Sequence, residues 1–379
     1  MCLSPFKGRL TNREACAAVT KALKQKKITG RALPLGDGGA GTLWTIHSSL
    51  GGSIEEIDAS GPLGKPVKAS VLLLPNKKNP TSLYIESSDV CGHSLVPDAE
   101  RDALRATSRG LGEVILESLK RWGNSLSRIY IGLGDSAVSD VGLGMLCGLG
   151  YTFFDLSGHV VWGNAAGLRQ IQTFQVPKNP ALDKIKFTVL CDVMNPLCGP
   201  RGSARTFAPQ KGATAGQVSQ IDQGMEHFAS VIQATTGRNL RYEPMTGSAG
   251  GLAAAFLAFF DAELVHGARF LLDWIHFDRI LSDHCFLIVG EGKTDQQTLS
   301  GKAPLEGVER ALRLGKKVVV ISGALGEGHE QLLQKRSVAG CYACGESPTA
   351  KDALFDRTLE IFSDEKLLSE IASGAKQSH

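Results

Sequence analysis

An apolar run at 285–289 leads directly into Gly290-Glu291-Gly292-Lys293-Thr294-Asp295 and on to Ser300-Gly301-Lys302-Ala303-Pro304. Its length and β-branched content are those of a strand buried on both faces of a parallel sheet. A buried strand that ends in a glycine-rich turn puts its charges at the carboxyl edge of a sheet, where open α/β sheets take up ligands. Glu291, Asp295 and Lys302 in that turn suit a phosphate and its metal better than a hydride carrier. Glycine-rich turns also serve as plain connections, so the segment gains meaning only from others like it.

Others do recur. Thr11 with Glu14 three residues on forms a capping box, which predicts a helix to about Lys24. A short strand is expected at 32–35, ending at Gly36-Asp37-Gly38-Gly39-Ala40-Gly41-Thr42. A helix at 104–121 is followed by a strand at 128–132 and the loop Gly134-Asp135-Ser136, and the run at 317–321 repeats the pattern. Alternation of this kind implies a parallel sheet covered by helices. Between 62 and 85, short runs separated by Gly-Pro, Pro-Asn and Asn-Pro read as β-hairpins, and from about 150 to 278 strands, turns and helices mix. We read this as a second α+β domain inserted into the first. The first domain then comprises 1–60, 95–148 and 282–379, and the insertion 61–94 and 149–281.

Composition narrows the class. A chain of 379 residues with 42% apolar and 21% charged residues can bury two cores. The formal charge of +3, without blocks of like charge, argues against nucleic acid as a partner. The longest apolar stretch, 252–260, is about half of what spans a bilayer, so no membrane partner is expected. The nine cysteines are scattered. Cys341-Tyr342-Ala343-Cys344 lacks the second pair that zinc needs and is expected to be a buried, reduced pair. These features describe a cytoplasmic protein. The sequence leaves a homo-oligomer open.

Five turns hold acids or lysines: Ser4-Pro5-Phe6-Lys7-Gly8, the Asp37 loop, and the loops at 132–140, 191–202 and 290–304. Phosphoryl transfer needs lysine, metal and backbone N–H groups on phosphate, and a carboxylate beside the attacking hydroxyl. Asp192 and Asp295 are the natural carboxylates, one to take the hydroxyl proton and one to hold Mg²⁺. Lys7, Lys211 and Lys302 are the charge partners. A competing reading exists, because Gly132-Leu133-Gly134-Asp135-Ser136-Ala137 fits the dinucleotide fingerprint and Asp155 lies about twenty residues on. Asp135 beside a pyrophosphate and the turn-like Asp155-Leu156-Ser157-Gly158 weaken it.

The ordered set of turns resembles the bacterial type I glycerate kinase family over essentially the whole chain. The carrying segments are SPFKG, DGGAGT, GLGDSAVSDVGLGML, CDVMNPLCGPRGSARTFAPQKGAT, SAGGLAAAF and GEGKTDQQTLSGKAP. The resemblance implies phosphorylation of D-glycerate, 2-phosphoglycerate slightly favoured, with ATP and Mg²⁺. It implies a Rossmann-like domain, an inserted α/β domain and a cleft between them. It places Asp192, Asp295 and Lys7 in catalysis, with Mg²⁺ on Asp192 or Asp295. Asp37, Gly38, Gly39, Ser136, Asp140, Asn195, Lys211, Glu291 and Lys302 would contact substrate or phosphate.

Departures from the family pattern matter. Ala40 stands where the family carries Glu, Met194 where it carries Asp, and residues 135–141 have lost two glycines, a Thr and an Asn. They motivate two alternatives: a kinase-like binding or regulatory protein, or a kinase of a related small hydroxy acid. Only Met1, Cys2 and Leu3 precede the SPFKG turn, so either this chain begins late in its reading frame or a shortened first strand is enough.

Overall fold

The structure, a computed structural model, describes residues 1–6, 9–74, 81–296, 298, 302–345 and 347–375. The chain divides into two compact units. Unit 1 gathers residues 1–37, 44–50 and 268–379, and unit 2 holds 38–43 and 51–267.

Unit 1 is built on a parallel sheet in the order Cys2–Leu3, Phe286–Gly290, Lys317–Ser322, Val338–Ala343. The strands are near-continuous apolar runs because both faces are covered. Ile288, Val319 and Ile321 pack with Ala15, Val19 and Leu354 from the helices Asn12–Gln25 and Ala350–Ile361. The helix Ala303–Arg313 packs on Phe286–Gly290, with Gly307 close to Leu287 and Val289. The first strand is flanked on both sides. Cys2 and Leu3 pair with Val289 and Gly290, while Leu33 and Leu35 donate N–H bonds to the Met1 and Leu3 carbonyls at 2.9 Å. The segment expected as a strand at 32–35 therefore lines the sheet without forming a regular strand. From the two neighbouring strands 2–3 and 286–290 the chain departs in opposite directions, so a switch point lies between them, at Ser4 and Gly290.

Unit 2 carries a mixed sheet in the order Ser53–Ser60, Pro66–Leu74, Thr81–Glu86, Leu126–Leu133, Lys186–Cys191, Glu263–His266. The first three strands are antiparallel and the last four run parallel to one another. The core includes Ile129, Ile131, Val189, Phe228 and Phe256.

The expected division of the chain is corrected here. Residues 53–60 and 95–148 belong to unit 2, because Leu126–Leu133 lies between Thr81–Glu86 and Lys186–Cys191 in its sheet. Residues 268–281 belong to unit 1, where Arg310 of the helix Ala303–Arg313 bonds Asp278 at 3.1 Å and Asp273 at 2.6 Å. The strand–turn–helix pattern reads alike in either sheet, and nothing local tells which sheet a strand joins. The helix expected from Leu104 begins only at Arg109, since Asp102 caps a turn through the N–H groups of Leu104 and Arg105. Cys341 and Cys344 are free but half-buried, because Val338–Ala343 is an edge strand. No helix among the described residues is long and apolar enough to cross a membrane.

Candidate active site

Unit 2 concentrates its chemistry at the carboxyl edge of the four parallel strands. The turn 38–43 rests on the ends of three of them. Gly38 has φ +102°, and a Cβ there would lie 2.8 Å from the Leu190 carbonyl oxygen. A Cβ on Gly134 would lie 2.3 Å from Gly39 Cα, so only glycine permits this approach of two backbones. Within the turn, Gly38 N–H donates to Thr42 Oγ1 at 3.1 Å and that hydroxyl donates to the Gly39 carbonyl at 2.7 Å.

Lys211 is the centre of this edge. The turn Pro209–Lys211, closed by a left-handed Gly212, delivers its ammonium into the interior, where the residue is 3% exposed. Nζ donates to Ser136 Oγ at 3.2 Å and to the Val138 carbonyl at 2.5 Å. Burial pulls its pKa down to about 8, while the charges of Asp140 and Asp192 hold it up. The edge thus has a lysine whose pKa burial lowers and whose ammonium is aimed by two oxygen acceptors.

Asp140 is 0% exposed. Its carboxylate accepts from Ser108 N–H and Oγ at 2.8 Å, from Gly142 N–H at 3.1 Å and from Gly144 N–H at 3.2 Å. Burial raises its pKa and the Ser108 bonds oppose the rise. An enclosed, fourfold-bonded carboxylate fixes the loop and balances Lys211; the resemblance had placed it on a ligand. Asn195 similarly holds its own loop, donating from Nδ2 to the Arg201 carbonyl at 2.7 Å. Asp192, at the end of Lys186–Cys191, and Asp135, in the loop after Leu126–Leu133, are both half-buried and remain partly open at this edge.

The altered positions sort by burial. Val138 and Val141 are fully buried, and at 138 the site uses only the backbone carbonyl. Met194 is 49% exposed and Ala40 half-buried, so these two changes alter accessible side chains.

Unit 1 presents its own carboxyl edge at the switch point. Glu291 follows Phe286–Gly290 and is 7% exposed. Its Oε1 accepts from Thr298 Oγ1 at 2.6 Å, and Lys302 Nζ stands 3.9 Å from Oε2. Burial raises the Glu291 pKa, Thr298 and Lys302 oppose that, and Asp37 and Asp295 add to it. Asp295 lies 3.3 Å from Lys293 Nζ and its N–H donates to Thr298 Oγ1 at 3.1 Å. Asp37 and Asp295 thus both bear on the buried Glu291, with Lys302 on its flank. Lys7 lies outside the described residues.

Glu86 escaped the sequence reading. It ends the strand Thr81–Glu86, 5% exposed, and accepts from Gly41 N–H at 2.7 Å and Leu43 N–H at 2.9 Å. Burial and the neighbouring Asp89 push its pKa up to about 8. The available signal was an acid closing an apolar strand just beyond the hairpin region. The dinucleotide reading falls on Asp155, whose Oδ1 accepts from Ser157 N–H at 2.8 Å and His159 N–H at 2.9 Å as an ordinary turn former. The helix after the loop, Leu143–Gly148, has only six residues and starts well past Gly134, so no pyrophosphate-binding helix opens there.

Two parallel-sheet edges that set lysine against carboxylate are the furniture of phosphoryl transfer, and comparison with known proteins gives the class: a phosphotransferase of the kinase type. The family model described as the glycerate kinase family matches residues 1–368. A glycerate kinase from Halalkalibacterium halodurans is 33% identical over 332 residues, covering 87% of this chain and 86% of its own. The glycerate 2-kinase of Escherichia coli K12 is 32% identical over 84% of this chain and 83% of its own. The crystal structure of a candidate glycerate kinase 2 from Salmonella typhimurium LT2 superposes with a TM-score of 0.77 at 29% identity, each chain covered completely. The chain belongs to the glycerate kinase family, and membership in a kinase family implies use of ATP.

Proposed function

We propose that this protein transfers the γ-phosphoryl group of ATP to a hydroxyl of D-glycerate, giving ADP and phosphoglycerate, with the 2-phosphate favoured. The observation that carries the reading is Lys211, a buried ammonium held at a sheet edge by Ser136 and Val138 with Asp192 in electrostatic reach. A buried cation so fixed stabilises charge that develops on transferred phosphoryl oxygens, since its orientation is set before the reaction. The hydroxyl oxygen of glycerate forms the new P–O bond as the bond from the γ-phosphorus to the bridging oxygen breaks. Asp192 or Asp295 accepts the hydroxyl proton, and the other of the two is the metal-associated carboxylate. Lys7 and Lys302 neutralise phosphate or the substrate carboxylate, and Asp37, Gly38 and Gly39 line the site.

The residues fit Mg²⁺ in an open coordination. Among the described residues no group of three His, Cys, Asp or Glu side chains forms a cage. Mg²⁺ characteristically uses one or two carboxylates together with phosphate oxygens and water. The acidic group of Asp37, Glu291 and Asp295, whose charges raise the pKa of Glu291, has the repulsion that a divalent cation relieves. Such a cation, when bound, neutralises phosphate charge and orients the chain of phosphates.

ADP release by the purified chain with ATP, Mg²⁺ and D-glycerate tests the reading, beside an Asp295→Asn control. Turnover by the native chain and its loss in the control are expected. Met194 and Ala40 favour a second reading, a related hydroxy acid as acceptor. ATP turnover with tartronate or L-lactate but none with D-glycerate would select that reading and reject the first.

A further inference from the structure

The turn 38–43 opens the helix Thr42–Leu50, and a glycine-rich turn at a helix N-terminus ordinarily offers free N–H groups to an anion. Here two of those groups are already occupied. Gly41 N–H donates to Glu86 Oε1 and Leu43 N–H to Glu86 Oε2, at 2.7 and 2.9 Å, while Ser88 Oγ donates to Oε1 at 3.3 Å. Glu86 therefore caps a helix to which it does not belong, from the end of a neighbouring strand. The capped turn carries Gly38 and Gly39, which pack without a Cβ's width to spare against Leu190, Gly132 and Gly134 at the same edge as Lys211.

From this geometry we propose that Glu86 is a positioning residue: its carboxyl group takes two backbone N–H groups at the N-terminus of Thr42–Leu50 and fixes the Gly38–Gly39 backbone against the phosphoryl-transfer edge. The inference rests on the reading of that edge as the substrate site, and it adds a restriction. Gly41 N–H and Leu43 N–H are then not offered to phosphate, although the DGGAGT segment looks like a phosphate cradle. The carboxyl group is enclosed, with N–H donors on both oxygens, so its removal leaves two backbone donors unpaired in the interior.

The test measures two things on the full chain. Hydrogen exchange over residues 38–43 reads the clamp without any substrate. Exchange there is expected to quicken about tenfold in Glu86→Gln, because the amide turns N–H₂ toward one of the two donors. Turnover is read in Glu86→Ala, where kcat should fall about a hundredfold with a smaller change in KM, the effect of misplacing a reacting group by about an ångström. Formate should restore part of that loss by occupying the vacated carboxyl site. Unchanged exchange in Glu86→Gln overturns the clamp. Wild-type kcat in a folded Glu86→Ala variant, or lost kcat that formate leaves untouched, overturns positioning. Should Glu86→Ala not fold, kcat of Glu86→Gln decides, and a wild-type value overturns positioning. A native chain that shows the exchange effect but never turns over D-glycerate rejects the substrate and leaves the clamp standing.

Discussion

The two carboxyl edges of this protein handle charge in opposite ways. In unit 2 the cation is the buried group: Lys211 is enclosed, bonded to Ser136 and Val138, and balanced by an Asp140 that is itself fully bonded. In unit 1 the buried group is an acid, Glu291, with Asp37 and Asp295 raising its pKa and Lys302 at 3.9 Å. The first edge is preorganised by hydrogen bonds, as a site for developing negative charge must be. The second sets Asp37 and Asp295 around a buried Glu291 at a switch point, with Lys302 beside it. One edge buries a cation among oxygen acceptors, whereas the other buries a carboxyl group among acids.

The sharpest way to break this contrast is to neutralise the acids one at a time. Asp295→Asn and Asp192→Asn should separate base from metal carboxylate. The variant that lost the base should show kcat down about a thousandfold at an unchanged Mg²⁺ requirement. Its counterpart should recover substantially as Mg²⁺ is raised. Should both variants respond to Mg²⁺ alike, the assignment of different duties to the two acids is wrong.

Lys211→Met tests the preorganised edge and should lower kcat about a hundredfold. Its pH behaviour gives a second, opposed reading. With a pKa of about 8 in the folded protein, against 10.5 as the ordinary value, Lys211 loses its charge as pH rises through 8. Turnover by the native chain should fall across that range. Between about pH 8 and 10.5 the unfolded chain holds a proton on this lysine that the folded chain does not, so folding stability should rise with pH. The penalty for burying the charged lysine is full below pH 8 and is gone above 10.5. The difference in unfolding free energy between native and Lys211→Met chains, measured from pH 7 to 10.5, should therefore shift in favour of the native chain. A difference that stays flat with pH would mean that Lys211 titrates normally.

Asp140→Asn should destabilise unit 2 by about 3 kcal/mol, since it leaves Lys211 without its buried counter-charge and disrupts the bonds to Ser108. Thermal unfolding checks this, and Asp140→Asn combined with Lys211→Met should lose less than the sum of the two.

These contrasts also show what the sequence could and could not disclose. Strand positions were legible because fully covered strands are apolar runs that end in glycine or lead into one, as at 286–290 and 317–322. Both capping boxes, Thr11 with Glu14 and Thr214 with Gln217, rest on a three-residue spacing, and the first was read directly from it. Sheet membership was not legible. Leu126–Leu133 looks like any other buried strand, and only its pairing with residues far away in sequence assigns it to unit 2. At the site, motif turns singled out loops but not how enclosed each side chain within them is. Asp140 and Asp192 are both acids in glycine-rich turns, yet one is enclosed and the other half-open. Glu86 was invisible because its partners are backbone N–H groups more than forty residues away, which leave no side-chain signature.

The smallest expected effect asks whether the two units also differ as folding units. Each begins a long helix with a reciprocal cap. Glu14 N–H donates to Thr11 Oγ1 at 3.2 Å and Thr11 N–H to Glu14 Oε2 at 2.8 Å. In unit 2, Gln217 N–H donates to Thr214 Oγ1 at 3.3 Å and Thr214 N–H to Gln217 Oε1 at 2.8 Å. Thr11→Ala and Thr214→Ala each remove one side-chain acceptor at an exposed helix end and should cost about 1 kcal/mol. The chemistry is matched, so any difference in outcome reports the surroundings. Hydrogen exchange should quicken in Asn12–Gln25 and the strands of unit 1 for the first variant, and in Ala215–Thr236 and its sheet for the second. If either substitution loosens both sheets equally, the units unfold as one, and the contrast between their edges is confined to local chemistry.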